Sequence, residues 1–330
     1  MDVDTTDPSY WLNWRFLICA LFVLGSMVFA SLLIWKYERA KKSEDGRTEP
    51  RQAPAGVLYK DDLWRTCLKG IHPAWLLAFR IFAFVVLLAF IIGNAIAEGL
   101  GIFFYYTQWT FTLTTMYFAI ASAFSFYGCW HDRGRVAQHK GISHIFDVEP
   151  GYYAFPRLGS SEDTSMLKSL CNHEEVNVRQ IAGSVGDLFQ IIYQVSAGAV
   201  VLTDIVFWLI MYPFLSAEDF GLNFYNICMH SVNILILGDA LLNCMRFPMF
   251  RIAYFMLWTA AFVIYQWIIH ACVNLYWPYP FMELSTPYAP LWYTVVGLLH
   301  FPCYGFFALI VKLKNLWLSR SFPDSYQAMR

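Results

Sequence analysis

The sequence predicts an all-α protein, a polytopic bundle of about seven transmembrane helices with its N-terminus outside or lumenal and its C-terminus cytoplasmic. Two observations of composition lead to this fold class: 58% of the 330 residues are hydrophobic and only 14% are charged. A soluble globular domain carries about 25% charged residues, so this chain could not cover its surface in water. The composition excludes a soluble enzyme, and the formal net charge of −1 argues against nucleic acid as a partner.

Seven apolar runs supply the predicted helices, since each reaches the length of about 20 residues that crosses the hydrocarbon layer. Because the bilayer offers no water to the backbone, runs of this length must be helical. The first run lacks a preceding basic segment and is followed by Lys and Arg, which predicts a retained anchor rather than a signal peptide. The runs lie at about 16–35, 74–97, 108–129, 188–212, 223–245, 252–276 and 290–311.

Basic residues set the predicted orientation, because Lys and Arg are retained on the cytoplasmic side of a membrane. They follow the first, third, fifth and last runs, whereas acidic residues near the N-terminus mark the opposite side. The predicted organisation is an N-terminal tail with an extra anchor (1–35), a cytoplasmic linker (36–73), a six-helix membrane domain (74–315) with a cytoplasmic loop at 130–187, and a cytoplasmic tail (316–330).

Charged and imidazole side chains inside the predicted spans are candidates for function, because a charge at mid-span costs about 2.5 to 3.5 kcal/mol on insertion scales. Arg80 and Asp239 each lie roughly 9 Å from the cytoplasmic ends of the second and fifth runs. Opposite charges at the same depth predict a structural ion pair between two helices. His300 is a further intramembrane imidazole, to which the sequence assigns no partner.

A second group of polar residues lies nearer the opposite ends of the spans. At ~1.5 Å of rise per residue, their depths predict a shared pocket that opens toward the outside. The members of this group are Asp204, His230, His270, Thr112 and Thr114.

His230 is the candidate base of this pocket. Asn226, His230 and Asn233 recur at helical spacing, which predicts that they share one face of the fifth helix. Threonine can act as a nucleophile when a base takes its proton, and Asn226, Asp204 or His270 could orient that base. Two structural interpretations stay open: a membrane histidine can serve as an interhelical hydrogen bonder, and a helical threonine commonly donates to a carbonyl of its own helix.

Three stretches of the chain resemble the androgen-induced-protein family of membrane proteins and its rolling stone relatives. They are 104–118 (FYYTQWTFTLTTMYF), 226–243 (NICMHSVNILILGDALLN) and 274–300 (NLYWPYPFMELSTPYAPLWYTVVGLLH). The resemblance covers the second to the seventh spans, and its most specific pieces are the MHSVN run and the WPYPFME turn. It implies an intramembrane threonine hydrolase that cleaves fatty acid esters of hydroxy fatty acids.

The resemblance also implies the catalytic residues. Carried over by position, the family histidine falls on His230 and the family threonine on Thr114, with Thr112 as the alternate nucleophile. The implied roles are attack on the acyl carbon by Thr114 and proton transfer by His230, supported by Asn226, Asp204 and His270. The substrate that this implies is an acyl ester taken from the bilayer.

Non-enzymatic functions stay open as alternatives, namely a membrane scaffold or a receptor-like signalling protein of unknown ligand. Seven spans match the receptor topology, but the third run ends in CWHDR and the last contains no N-P-x-x-Y sequence. No cofactor or metal is expected, because the histidines and cysteines match no zinc signature. The expected partners are membrane lipids, and the expected location is the endoplasmic reticulum or the plasma membrane.

Overall fold

The computed structural model describes residues 4–44, 58–146, 180–214 and 224–327. Within these four ranges the chain is helical, with isolated β-bridges but no strand. Parts of the predicted linker and of the predicted loop at 130–187 lie outside the described residues, as do both ends of the chain. The all-α fold class is confirmed.

The α-helices are numbered along the chain. They are α1 (Pro8–Trp11), α2 (Trp14–Glu44), α3 (Pro73–Glu98), α4 (Tyr106–Phe146), α5 (Gly183–Ile205), α6 (Phe224–Met229), α7 (Leu235–Leu242), α8 (Ile252–Cys272) and α9 (Ala289–Ser321). The π-helix Val206–Met211 and a last turn, Tyr212–Phe214, continue α5. Short 3₁₀ turns lie at Lys60–Leu63, Leu100–Phe104, Val232–Ile234, Met249–Arg251 and Pro280–Met282.

Six segments of the described chain are long and apolar enough to cross a bilayer. The chain is therefore a multi-pass integral membrane protein. These segments are Trp14–Glu38, Pro73–Glu98, Gly183–Met211, Phe224–Leu242, Met249–Cys272 and Ala289–Ser321.

The third predicted span, at 108–129, lies within α4 but is not one of these six segments. Hydroxyl and amide side chains lower the hydropathy of this part of α4. This part of α4 packs against α3 and α5, and Phe111 and Tyr117 on it are fully buried. The count of seven crossings and the orientation of the termini stay predictions.

The fifth predicted span is interrupted. α6 ends at Met229, and α7 begins only at Leu235. The prediction of one continuous helix is therefore wrong. His230 and Asn233 nevertheless lie on one side of the interrupted segment, because both contact Asp204 Oδ1.

The interruption is possible because neighbouring side chains satisfy its free carbonyls. Trp208 Nε1 donates to the carbonyl of His230 at 3.1 Å, and Asn233 Nδ2 donates to that of Met229 at 2.7 Å. Non-helical backbone at membrane depth requires such partners or a cavity that it can line. Trp208 lies in the π-helix of α5, so the two irregular segments stabilise each other.

Arg80 and Asp239 form the ion pair that their depths predict. Arg80 Nε lies 2.7 Å from Asp239 Oδ1, and both side chains are fully buried. Arg80 Nη1 also donates to Ser125 Oγ and to the carbonyl of Leu63, each at 2.7 Å, and Asp239 accepts from Asn243 Nδ2 at 2.7 Å. The pair joins α3 to α7 inside the bundle.

The first membrane helix is part of the bundle. α2 packs against α8 and α9. A Cβ atom at Gly297 of α9 would lie 2.6 Å from the ring of Phe22, so glycine permits the close approach of α2. At the chain start, the Thr5 hydroxyl donates to Asn274 Oδ1 at 3.2 Å, which ties the N-terminal segment to the turn after α8.

Candidate functional site

A chamber of about 830 Å³ lies inside the bundle. Its wall is formed by α2, the end of α3 with the turn that follows it, the start of α4, α5 with its π-helix, α6, α8, α9 and the turn around 276–282. The volume falls within the range of about 300 to 1,000 Å³ that is usual for small-molecule sites, and the wall is mainly apolar. Polar residues on the wall include Asn94, Glu98, Tyr105, Tyr106, Thr107, Gln108, Thr203, Asn226, His230, Thr259, Tyr279 and His300.

His230 lies on this wall directly after α6. Its Nδ1 is 3.3 Å from Asp204 Oδ1, and because an ionised carboxylate can only accept, Nδ1 is assigned the hydrogen. Asn233 Nδ2 donates to the same carboxylate oxygen at 3.2 Å. Among the described residues Nε2 of His230 has no hydrogen-bond partner, so this nitrogen is left with its lone pair. The geometry is that of an oriented base.

The π-helix of α5 sets the environment of His230. A π-turn holds an extra residue, and such turns occur frequently at functional sites. Phe207, in the first turn of this π-helix, stacks on the His230 imidazole with the ring centroids 3.8 Å apart and an interplanar angle of 4°. Asp204 lies just before it, at the end of α5. One irregular segment therefore supplies both the carboxylate and the aromatic face that hold His230.

The two predicted nucleophiles do not line the chamber. Thr114 is fully buried, and its hydroxyl donates to the carbonyl of Thr110 at 2.9 Å. The Thr112 hydroxyl is also buried, with no hydrogen-bond partner among the described residues. The structure does not bring either hydroxyl into hydrogen-bond contact with His230.

Of the other two predicted supporting residues, one lies at the His230 site and one does not. Asn226 lines the chamber, and its carbonyl accepts the backbone N–H of His230 at 3.3 Å. His270 lies elsewhere: its Nδ1 is 2.8 Å from the carbonyl of Gln266, and its ring stacks on Trp277 at 3.8 Å. These contacts make His270 a packing residue in this structure rather than part of the His230 site.

A second imidazole on the chamber wall contacts a threonine. Thr259 Oγ1 lies 2.8 Å from His300 Nε2, and the Tyr106 hydroxyl lies 2.8 Å from the same Thr259 oxygen. His300 Nδ1 is 3.0 Å from the carbonyl of Val296. Thr259, His300 and Tyr106 come from α8, α9 and the start of α4 and meet at the chamber wall.

Sequence reasoning missed this contact because the predicted end of the sixth span was too late. With α8 ending at Cys272 and α9 beginning at Ala289, Thr259 and His300 lie at similar depths, roughly 20 and 17 Å inside their spans. The predicted end at 276 placed Thr259 deeper and hid the match. A threonine and a histidine at similar depths on consecutive membrane helices were the available signal.

Two phenols outside the membrane-spanning segments also line the chamber. Burial raises the pKa of Tyr105 and that of Tyr279 above the ordinary value. Both phenols are therefore un-ionised, and they present O–H donors where the chamber extends beyond the membrane-spanning helices.

Comparison of the chain with protein-family models, with curated proteins and with solved structures finds no match.

Proposed function

We propose that this membrane protein hydrolyses fatty-acyl esters that enter its chamber from the bilayer, with His230 as the general base that activates the attacking water. The observation that carries the proposal is the Asp204–His230 pair, whose histidine lines a mainly apolar chamber. Apolar walls suit acyl chains, and a base with a free nitrogen suits proton transfer at an ester. The resemblance to the androgen-induced-protein family supports the same reaction class and the same histidine.

The nucleophile implied by that resemblance is Thr114, with Thr112 as the alternate. To act, Thr114 would have to leave the carbonyl of Thr110 and turn toward the chamber. The proposed role of His230 does not depend on this movement, because His230 already lines the chamber and its Nε2 is free to accept a proton. The endoplasmic reticulum or the plasma membrane is the proposed location.

The experiment measures fatty acid release by the purified full chain in lipid nanodiscs, with a fatty acid ester of a hydroxy fatty acid as substrate. His230→Gln is expected to lower kcat by about 10²- to 10⁴-fold, the usual contribution of an acid–base group. Asp204→Asn is expected to have a smaller effect, because the base remains but loses its orienting carboxylate.

Thr115→Val is the matched control for substitutions in this bundle. The Thr115 hydroxyl is buried, donates to the carbonyl of Phe111 at 2.8 Å and does not line the chamber. This variant is expected to keep the wild-type rate. Absence of fatty acid release from the wild-type protein, or an unchanged rate in His230→Gln, would contradict the proposal.

A further inference from the structure

We propose that Thr259 is the nucleophile of the chamber, with His300 as its base and Tyr106 as its positioning residue, and that Thr259 takes the fatty-acyl group of the substrate as a covalent ester. The inference rests on the proposed function, for which it names the covalent step. Neither the depths predicted from the sequence nor the family resemblance indicates this site.

The directions of the hydrogen bonds prepare Thr259 for attack. Because a carbonyl can only accept, the contact with Val296 assigns the hydrogen of the His300 ring to Nδ1 and leaves Nε2 of the neutral ring as an acceptor. The Thr259 hydroxyl, 2.8 Å away, donates to Nε2, and Tyr106 in turn donates to Thr259 Oγ1 at 2.8 Å. The nucleophile thus shares its proton with a base while a second donor fixes its oxygen.

Thr259 differs from other helical threonines of the bundle. Thr114, Thr115 and Thr203 donate to the carbonyl four residues earlier at 2.9, 2.8 and 3.0 Å. The corresponding distance for Thr259, to the carbonyl of Phe255, is 3.4 Å, clearly longer than its distance to His300. A hydroxyl held by its own helix is a poor nucleophile, whereas one held by an imidazole has its base in place.

The proposed reaction balances with water as the only co-reactant. Thr259 Oγ1 forms a bond to the acyl carbon and passes its proton to His300 Nε2. The ester C–O bond then breaks, and the leaving alkoxide takes that proton from His300. Water deprotonated by His230 attacks the acyl-Thr259 ester, and the bond between the acyl carbon and Thr259 Oγ1 breaks as the fatty acid is released. The Thr259 oxygen is protonated again by the proton that His230 took from the water.

This division of roles predicts a different result for each histidine. Without His230, acylation proceeds and the acyl-Thr259 ester accumulates. Without His300, acylation itself is slow. A merely structural hydrogen bond between Thr259 and His300 would produce neither pattern, because no adduct would form.

The test uses the full chain, purified in detergent, with the p-nitrophenyl ester of octanoic acid. p-Nitrophenol release, octanoic acid release and the mass of the intact protein are followed together, and the modified peptide is mapped. His230→Gln is expected to give a single-turnover burst of p-nitrophenol and an octanoyl adduct on Thr259.

Substitutions of Thr259 and its neighbours complete the test. Thr259→Val is expected to form no adduct and to lose at least about 10³-fold in kcat, as nucleophile removal does in serine hydrolases. Thr259→Ser keeps the hydroxyl and is expected to keep the adduct, which shows that the loss in Thr259→Val is not a folding defect. Tyr106→Phe is expected to slow acylation by about tenfold, the effect of one hydrogen bond, without changing KM. Thr115→Val is expected to behave as wild type.

The outcomes separate this inference from the proposed function. An adduct on Thr114 or Thr112 in place of Thr259, or wild-type rates in Thr259→Val, would overturn the inference while hydrolysis by the chamber would stand. An adduct on Thr259 in a wild-type protein that releases no octanoic acid would support the inference and contradict the proposed function.

Discussion

Asp239→Asn is expected to destabilise the bundle, because it leaves a buried charge without its partner. The carboxylate lies 2.7 Å from Arg80 Nε and also accepts from Asn243 Nδ2 and from the Tyr117 hydroxyl. An asparagine of the same shape keeps one acceptor oxygen and leaves the guanidinium, which is fully buried, without a counter-charge. Removing one partner of a buried pair costs about 3 to 5 kcal/mol.

The assay is equilibrium unfolding of the purified protein in mixed micelles, followed by helical circular dichroism. The double variant Arg80→Met with Asp239→Leu removes both charges and is expected to be more stable than Asp239→Asn, because no unpaired charge remains. A charge reversal at the two positions is not expected to restore stability, since the carbonyl of Leu63 at the Arg80 site would then face a carboxylate. Wild-type stability in Asp239→Asn, or a double variant less stable than the single one, would refute the reasoning.

Two further predictions concern packing and the interrupted span. Gly297→Ala is expected to cost about 1 to 3 kcal/mol through overpacking against Phe22, whereas Gly25→Ala, with nothing within 4 Å of its added Cβ, is expected to be neutral or stabilising in the same unfolding assay. Equal effects of the two substitutions would contradict the close contact between α2 and α9. Trp208→Phe removes the donor to the His230 carbonyl, and we expect it to lower the free energy of unfolding by about 1 to 3 kcal/mol. We also expect it to lower kcat, because the backbone that positions His230 loses this support. Trp317→Phe, at an exposed position, is expected to change neither quantity.

Much of the fold follows from the sequence because the bilayer limits what an apolar run can become. Counting residues at a fixed rise per residue predicts both the helical spans and the matching depths of Arg80 and Asp239. In the structure Arg80 and Asp239 are in contact. Counting does not reveal where a helix breaks. The interruption at His230 depends on donors from Trp208, on the neighbouring π-helix, and from Asn233, in the 3₁₀ turn inside the break.

The site was less predictable than the fold for a related reason. Sequence depth places polar groups at one level of the membrane but does not say in which direction each side chain points. The side chains of His230 and Asp204 were predicted at similar depths and also point toward each other, so they are in contact. The Thr114 hydroxyl points back along its own helix, to the carbonyl of Thr110. Thr259 was hidden by an error of one helical turn in the predicted end of α8.

The most direct test of the chamber as the place of acyl-ester cleavage is an experimental structure of the protein after reaction with an alkyl fluorophosphonate. We expect phosphorus bonded to Thr259 Oγ1 and the alkyl chain lying along the apolar wall beside Phe22 and Phe262. An unreacted protein with an empty chamber, or a probe attached to a residue other than Thr259, Thr114 and Thr112, would contradict the proposed chemistry.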